Sequence, residues 1–213
     1  MVKVGRNIKH IWFDLAGTLY QENPDLKKAL GEYSYKVYSG LTTTSDWKTL
    51  QSEYDDLYKK HGSRSAVFRS LGKPDDYWQK AADDFDRTSF FAPDNNVLRT
   101  LEALRALVPI SLFTNFQHKQ IQALLGHLEI PQSLFTHVLS GDDVTTRKPD
   151  LEGFRLMIEK SQLPAEQILY VGDREKVDIQ PAKTLGMQTC MLYGTSEAAD
   201  YCFSSFEDLL SLF

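Results

Sequence analysis

The sequence has few cysteines and no long hydrophobic segment. Cys190 and Cys202 are the only cysteines among 213 residues, and two thiols cannot build the disulfide framework of a small secreted domain. The five histidines show none of the spacings of a zinc site. No apolar run reaches the roughly 20 residues of a membrane-spanning helix, and the N-terminus carries no apolar export signal. We therefore expect a cytoplasmic protein with reduced thiols and no membrane partner.

The sequence also lacks a strong excess of charge of either sign. Its 24 lysines and arginines stand against 29 aspartates and glutamates, which gives a formal net charge of −5. This balance provides no basic surface for nucleic acid. Walker A, GxGxxG and GxSxG motifs are absent as well. With 42% hydrophobic and 25% charged residues, the composition is that of a globular chain. The sequence leaves both a monomer and a homodimer open.

Short apolar runs that end at polar residues predict the strands of the fold. These runs cover 8–13, 108–113, 135–140, 167–171 and 189–193. Apolar residues at helical spacing predict helices over 95–107, 119–128, 151–161, 179–185 and 206–212. Strands that alternate with helices indicate an α/β fold, in which a parallel sheet is covered by helices on both faces. Ligands bind such sheets at the carboxyl ends of the strands.

Residues 21–92 interrupt this alternation. They show helical patterns over 25–39, 44–61 and 75–85 but no strand, and they hold about half of the aromatic residues in about a third of the chain. We predict an all-helical cap over 21–92, inserted into a core made of 1–20 and 93–213. The aromatic side chains are expected to form the cap's own core. A cleft position for Trp47, Tyr54 or Tyr77 would instead favour a nucleoside monophosphate as substrate.

Polar side chains stand where the predicted strands end. Asp14, Thr114 and Asp173 follow three of the strands, and Lys148 lies in the loop after 135–140. Because the carboxyl ends of parallel strands meet at one edge of the sheet, we expect these four side chains to lie close together.

Four segments of the chain resemble, in order, the four motifs of the haloacid dehalogenase-like hydrolase superfamily. They are 13–20 (FDLAGTLY), 112–115 (LFTN), 147–150 (RKPD) and 171–178 (VGDREKVD). The resemblance implies a three-layer, Rossmann-like core with a type C1 cap. It also implies a Mg²⁺-dependent phosphatase that acts on a small phosphorylated metabolite through an aspartyl-phosphate. Segments 13–20, 58–62 and 147–157 further resemble pyrimidine 5′-nucleotidase-type phosphatases.

The resemblance assigns a role to each matching position. It makes Asp14 the nucleophile and a metal ligand, with the Ala16 carbonyl, Asp173 and Asp178 completing the Mg²⁺ site. Thr114 would hold phosphate oxygens and Lys148 would supply positive charge, while Asn115, Thr18 and Tyr20 are expected on the substrate side. These residue types suit the chemistry, because phosphoryl transfer needs a nucleophile, a divalent cation and positive charge near the phosphate.

Ala16 departs from the family pattern. Family phosphatases place a second aspartate two residues after the nucleophile, where it acts as general acid and base, and an alanine can do neither. Loss of such a group costs about 10²–10⁴-fold in rate. Four interpretations stay open: an engineered Asp→Ala replacement, a slow or substrate-assisted phosphatase, a hydrolase like phosphonoacetaldehyde hydrolase, or a protein that binds phosphorylated ligands without turnover. The third shares the Asp-x-Ala-Gly-Thr pattern but cleaves a carbon–phosphorus bond with a Schiff-base lysine in its cap.

Overall fold

The computed structural model describes residues 7–83 and 85–213. The contacts within the chain divide it into two compact units. The larger unit contains the residues up to Gln21 together with Phe91–Phe213, and the smaller unit is Glu22–Phe90. The sequence predicts the corresponding boundaries after residues 20 and 92.

The smaller unit is helical throughout its regular structure. Its elements are α1 (Pro24–Ser39), α2 (Trp47–His61), α3 (Arg64–Ser70), α4 (Tyr77–Ala81) and a 3₁₀ turn at Thr88–Phe90. The side chains of Asn23 and Asp46 cap α1 and α2 by accepting backbone N–H groups, which fixes where these helices begin. The sequence does not predict α3, because seven residues are too short to show a clear helical period.

Aromatic side chains form the core of the smaller unit, as the sequence predicts. The Phe68 ring stacks on Trp78 with a centroid separation of 5.7 Å, and Tyr54 lies 6.1 Å from Phe68. Trp47 lies at the edge of this cluster, 49% exposed and edge-on to Tyr35. The aromatic excess of the segment is therefore used mainly for packing.

The larger unit is built on a parallel sheet. Its strands are β1 (His10–Phe13), β2 (Ile110–Phe113), β3 (Val138–Leu139), β4 (Ile168–Gly172), β5 (Gln188–Leu192) and β6 (Tyr201–Phe203). The strand order is β3-β2-β1-β4-β5-β6, and every neighbouring pair is parallel. All residues of β1, β2 and β4 are buried, as expected for strands covered on both faces. The predicted α/β fold is confirmed.

Helices connect the strands of the larger unit. They are α5 (Asn95–Leu107), α6 (His118–His127), α7 (Leu151–Ser161) and α8 (Gln180–Thr184). The bounds of α5 and α7 agree with the prediction, because Asp94 and Asp150 cap them and their apolar residues face the core. None of the helices in the described ranges is both long and apolar enough to cross a membrane.

Several elements differ from the prediction. The helix expected over 206–212 is a 3₁₀ helix at Glu207–Leu212, and the helix expected over 75–85 is reduced to the five residues of α4. The six-residue strand expected over 135–140 is reduced to the two residues of β3. β6 was not predicted, since three alternately exposed residues form no apolar run. The helix expected over 179–185 is α8, preceded by a π-helical turn at Glu175–Ile179. This last difference bears on the candidate site, because the turn carries Asp178.

Candidate active site

The carboxyl ends of three neighbouring strands, β2, β1 and β4, bring together the polar residues that the sequence predicts there. Asp14 follows β1, and its backbone N–H donates to the carbonyl oxygen of Val171 in β4 at 2.9 Å. Thr114 follows β2, is buried, and its hydroxyl accepts a long hydrogen bond of 3.5 Å from the N–H of Phe116. Asp173 follows β4. A phosphate contact by Thr114 stays a prediction.

The ammonium group of Lys148 lies at the centre of this edge. Its Nζ donates at 2.8 Å to Oδ1 of Asp14, to Oδ1 of Asp178 and to the hydroxyl of Tyr170. The side chain is completely buried. A buried charge is tolerated only when it is paired and hydrogen-bonded. Lys148 therefore offsets part of the repulsion between the two carboxylates.

Asn115 holds the backbone of Lys148. Its Nδ2 donates to the carbonyl oxygen of Lys148 at 3.0 Å, and its Oδ1 accepts from the N–H of Lys148 at 2.8 Å. The sequence predicts a substrate contact for Asn115, but in the structure both polar ends of the amide are used to position the lysine. A substrate contact by Asn115 stays a prediction.

Tyr170 belongs to the site although the sequence analysis missed it. Its hydroxyl accepts from Lys148 and lies 3.3 Å from both the Phe113 carbonyl oxygen and Oδ1 of Asp178. Burial, together with the negative charges of Asp178 and Asp14, raises the pKa of Tyr170 well above its usual value. The phenol therefore stays neutral. A tyrosine in a fully buried strand was the available signal, because its hydroxyl needs a polar partner.

Three carboxylates crowd the same edge. Asp14, Asp173 and Asp178 each offer an oxygen atom within 4.8 Å of the others. Burial raises the pKa of Asp14, although Lys148 opposes the shift. Burial and the charges of Asp14 and Asp178 also raise the pKa of Asp173 to about 7. Burial and the repulsion between neighbouring carboxylates thus disfavour the ionised forms of Asp14 and Asp173.

These carboxylates fit a divalent cation. Oδ2 of Asp14 and Oδ1 of Asp173 are buried, and neither has a hydrogen-bond partner within the described part of the chain. Clustered carboxylate oxygens with free lone pairs are the ligands that Mg²⁺ prefers. Asp14, Asp173 and Asp178 could therefore hold the ion. The backbone carbonyl of Ala16 stays a predicted ligand.

Two glycines allow the carboxylates to approach so closely. Gly17 has a φ of +81°, and a Cβ atom at that position would overlap the carboxylate of Asp173. A Cβ atom on Gly172 would lie 2.5 Å from Cβ of Asp178. The π-helical turn then folds Asp178 back, and its Oδ2 accepts the N–H of Arg174 at 3.2 Å. Such turns are common at functional sites.

The turn after β1 contains the remaining predicted site residues. Gly17 N–H donates to the Tyr20 carbonyl oxygen at 2.8 Å and closes the turn. Thr18 is fully buried, and the Tyr20 ring stacks on Phe91 at 4.0 Å. Thr18 and Tyr20 are thus placed as packing residues, because this turn folds back into the apolar interior. A substrate contact by either residue stays a prediction.

Arg174 is a further cation at this edge that the sequence analysis did not consider. Its Nε lies 3.8 Å from Oδ1 of Asp173 and 3.7 Å from Oδ2 of Asp178. The side chain is 51% exposed, in contrast to the buried Lys148. The two cations at the site therefore differ in their access to solvent.

The lysines of the smaller unit bear on the carbon–phosphorus hydrolase interpretation of Ala16. A Schiff-base lysine needs a desolvated, neutral amine. Of the eight lysines among the described residues of 22–90, seven are exposed and Lys73 is only partly buried, with its Nζ 5.4 Å from the Tyr77 ring. The structure of this unit therefore disfavours that interpretation.

Known proteins match the chain over most of its length. The sequence profile of the family described as haloacid dehalogenase-like hydrolases matches residues 11–192. The phosphoglycolate phosphatase of Salmonella paratyphi A is 29% identical over 96% of this chain and 92% of its own length. Two solved structures are also similar in fold. A predicted phosphoglycolate phosphatase from Haemophilus somnus 129PT has a TM-score of 0.62 at 25% identity, with 97% of this chain and 98% of the other covered.

The second similar structure is a phosphatase of the same superfamily from Thermococcus onnurineus. It has a TM-score of 0.70 at 20% identity and covers 96% of this chain and 97% of its own, which supports the fold alone. The family match covers all four motifs that the sequence analysis identified. The chain therefore belongs to the haloacid dehalogenase-like hydrolases.

Proposed function

We propose that this protein is a Mg²⁺-dependent phosphatase that hydrolyses a small phosphate monoester through an aspartyl-phosphate on Asp14. The observation that carries the proposal is the asymmetry of the Asp14 carboxylate. Its Oδ1 is held by Lys148 at 2.8 Å, whereas its buried Oδ2 has no hydrogen-bond partner among the described residues. A carboxylate fixed by one oxygen, with lone pairs free on the other, is oriented for attack and for ligation.

In the first half of the proposed reaction, a carboxylate oxygen of Asp14 attacks the phosphorus atom. The bond from phosphorus to the leaving oxygen breaks, and that oxygen departs with the electron pair. Lys148 keeps the attacking carboxylate in place, and the Thr114 hydroxyl would hold a phosphate oxygen. Mg²⁺ held by Asp14, Asp173 and Asp178 would supply positive charge that stabilises the phosphate in the transition state.

In the second half, water attacks the phosphorus atom of the aspartyl-phosphate and releases inorganic phosphate. This water must lose a proton, and the leaving oxygen of the first half must gain one unless it is stable as an anion. Ala16 offers no group for either transfer. An aryl phosphate can therefore transfer its phosphoryl group without help, but hydrolysis of the aspartyl-phosphate is slow for every substrate.

For the substrate, we propose a small phosphorylated metabolite, with a carboxylated ester such as 2-phosphoglycolate as the first candidate. The support is that relatives matched over 96% of this chain are named phosphoglycolate phosphatase. A nucleoside monophosphate finds less support from the aromatic residues considered for base stacking. Tyr54 is only 2% exposed, Tyr77 packs on Phe68, and the half-exposed Trp47 lies edge-on to Tyr35. We propose that this unit is the substrate-selecting C1 cap and that the protein acts in the cytoplasm.

A panel of phosphate esters tests the proposal. It contains p-nitrophenyl phosphate, 2-phosphoglycolate and nucleoside monophosphates, and it is run with Mg²⁺ and with EDTA on the protein and on its Ala16→Asp and Asp14→Asn variants. We expect Mg²⁺-dependent phosphate release that is slow in the protein, about 10²–10⁴-fold faster in Ala16→Asp, and absent in Asp14→Asn. The proposal would be contradicted if neither the unsubstituted protein nor Ala16→Asp released phosphate, or if Asp14→Asn retained the activity.

A further inference from the structure

Lys148 and Arg174 face different oxygen atoms of the carboxylate cluster. Lys148 donates hydrogen bonds to Oδ1 of Asp14 and to Oδ1 of Asp178. Arg174 faces the other oxygen of Asp178 and Oδ1 of Asp173, at 3.7 and 3.8 Å from its Nε. The metal-free cluster thus faces positive charge on two sides, from one buried cation and one cation that reaches solvent.

The two cations are held very differently. Lys148 is completely buried and makes three hydrogen bonds of 2.8 Å. The guanidinium of Arg174 makes only ion pairs longer than a hydrogen bond, and Oδ1 of Asp173 correspondingly has no hydrogen-bond partner in the described chain. Half of the Arg174 side chain is exposed, so its head group can move away without opening the core.

The backbone of Arg174 stays fixed while its head group is loosely held. Its N–H donates to Oδ2 of Asp178 at 3.2 Å, and the π-helical turn begins at the next residue. A divalent cation at the cluster would bind the same carboxylates that the guanidinium faces. The guanidinium and the divalent cation would repel each other. A guanidinium is always charged, so it cannot avoid this repulsion by losing a proton.

We propose that Arg174 is an exchangeable counter-ion of the metal site: its guanidinium neutralises Asp173 and Asp178 in the metal-free protein and is displaced toward solvent when Mg²⁺ binds. This inference rests on the Mg²⁺ site of the proposed function. In this arrangement the arginine stabilises the metal-free protein and weakens Mg²⁺ binding, because each ion that binds must first displace it. Lys148 remains in place in both states, since its hydrogen bonds are buried.

The test compares Mg²⁺ binding and thermal unfolding in the full-length protein and three variants. Arg174→Gln removes the charge, Arg174→Lys retains it, and Arg155→Gln removes an exposed arginine charge on α7 as a matched control. The protein is stripped with EDTA, and Mg²⁺ affinity is measured by isothermal titration calorimetry. Melting temperatures are recorded without metal and at saturating Mg²⁺.

We expect Arg174→Gln to bind Mg²⁺ about 10-fold more tightly than the unsubstituted protein. Its melting temperature should be lower without metal and unchanged at saturating Mg²⁺. Arg174→Lys and Arg155→Gln should remain close to the unsubstituted protein. Unchanged or weaker Mg²⁺ binding by Arg174→Gln, or a melting temperature lowered equally in both states, would overturn the inference while leaving the proposed function intact. Failure of the unsubstituted protein to bind Mg²⁺ would overturn the metal site of the proposed function and this inference with it.

Discussion

Lys148 donates a 2.8 Å hydrogen bond to only one oxygen of Asp14, and the other oxygen is buried without a hydrogen-bond partner in the described chain. The lysine thus orients the carboxylate while leaving lone pairs for chemistry. It also places positive charge between Asp14 and Asp178, which would otherwise repel each other in a buried site. One side chain therefore connects the stability of the sheet edge to the reactivity proposed for it.

Replacing Lys148 should destabilise the fold. Lys148→Met leaves the carboxylates of Asp14 and Asp178 buried without their cation, and breaking such a pair costs about 3–5 kcal/mol. Urea unfolding at neutral pH measures this loss in the free energy of unfolding. Lys160→Met removes an exposed lysine on α7 and serves as the control, with an expected change below about 0.5 kcal/mol. Equal effects of the two substitutions would show that Lys148 does not have this structural role.

Removing the hydroxyl of Tyr170 should lower both stability and the rate of phosphoryl transfer. Tyr170→Phe deletes the hydrogen-bond acceptor 2.8 Å from the Lys148 ammonium, and hydrogen bonds to charged groups contribute about 1.5–3 kcal/mol. Tyr58→Phe, at a 38% exposed position, is the matched control. Urea unfolding and the rate of p-nitrophenol release report the two effects. A Tyr170→Phe protein that equals the control in both would contradict the role assigned to this hydroxyl.

The close approach of Gly17 to Asp173 predicts a specific loss of metal affinity. Gly17→Ala would add both a left-handed backbone strain of about 1–2 kcal/mol and an overlap with the Asp173 carboxylate. Gly72→Ala, at a φ of +75° with no atom within 4 Å of its Cβ position, adds the strain alone. Calorimetric titration should show Mg²⁺ affinity at least about 10-fold weaker in Gly17→Ala only. Equal Mg²⁺ affinity in the two variants would mean that Asp173 is not a ligand.

His10 should make the stability of the larger unit depend on pH. The imidazole is buried, stacks on Trp12, and shares a 2.8 Å hydrogen bond with Ser111. Burial, with smaller contributions from His137 and Arg105, lowers the pKa of His10 to about 4. As the pH falls, the imidazole takes up a proton in the unfolded chain near pH 6.5 but in the folded protein only near pH 4. The stability that the neutral, buried imidazole contributes is therefore present above about pH 6.5 and is lost as the pH falls toward 4.

The contribution of His10 amounts to at most about 3 kcal/mol. Urea unfolding between pH 7 and pH 4.5 measures it by comparing the protein with His10→Gln, in which the side chain at position 10 does not titrate. We expect the free energy of unfolding to fall less steeply with decreasing pH in His10→Gln. Parallel pH profiles for the two proteins would show that His10 is not the source of the dependence.

The elements that the sequence predicts well are those with local signals. α5 and α7 combine a capping aspartate with an apolar face, so both ends could be read from the residues themselves. β6 has no such signal, because it is three residues long and is held by pairing with β5. Pairing of this kind depends on the rest of the sheet and cannot be seen in a short window of sequence.

The candidate site shows the same division. Asp14, Lys148 and Asp173 follow from motifs at strand ends, and the structure places them at one edge. Tyr170 and Arg174 could not be assigned, because a tyrosine in an apolar strand and an arginine in a loop have many ordinary uses. Their roles depend on which atoms they face after folding.

Restoring an aspartate at position 16 should accelerate turnover. Ala16→Asp supplies the group that protonates the leaving oxygen and deprotonates the attacking water, and we expect a gain of about 10²–10⁴-fold in steady-state phosphate release. In the first phosphoryl transfer, the gain should be larger for 2-phosphoglycolate than for p-nitrophenyl phosphate, because only the alkyl ester needs a proton on its leaving oxygen. Equal acceleration of both would contradict the part assigned to Ala16.

The role of Asp14 as nucleophile is tested most directly by the pre-steady-state reaction of the protein with p-nitrophenyl phosphate and Mg²⁺, followed by stopped-flow absorbance and intact-protein mass spectrometry. We expect a burst of p-nitrophenol equal to the concentration of protein, a covalent phosphoryl group that Asp14→Asn does not acquire, and a slow steady state that Ala16→Asp accelerates. Steady-state turnover without a burst, together with an unmodified Asp14, would contradict the claim that Asp14 is a nucleophile whose aspartyl-phosphate persists because Ala16 cannot activate water.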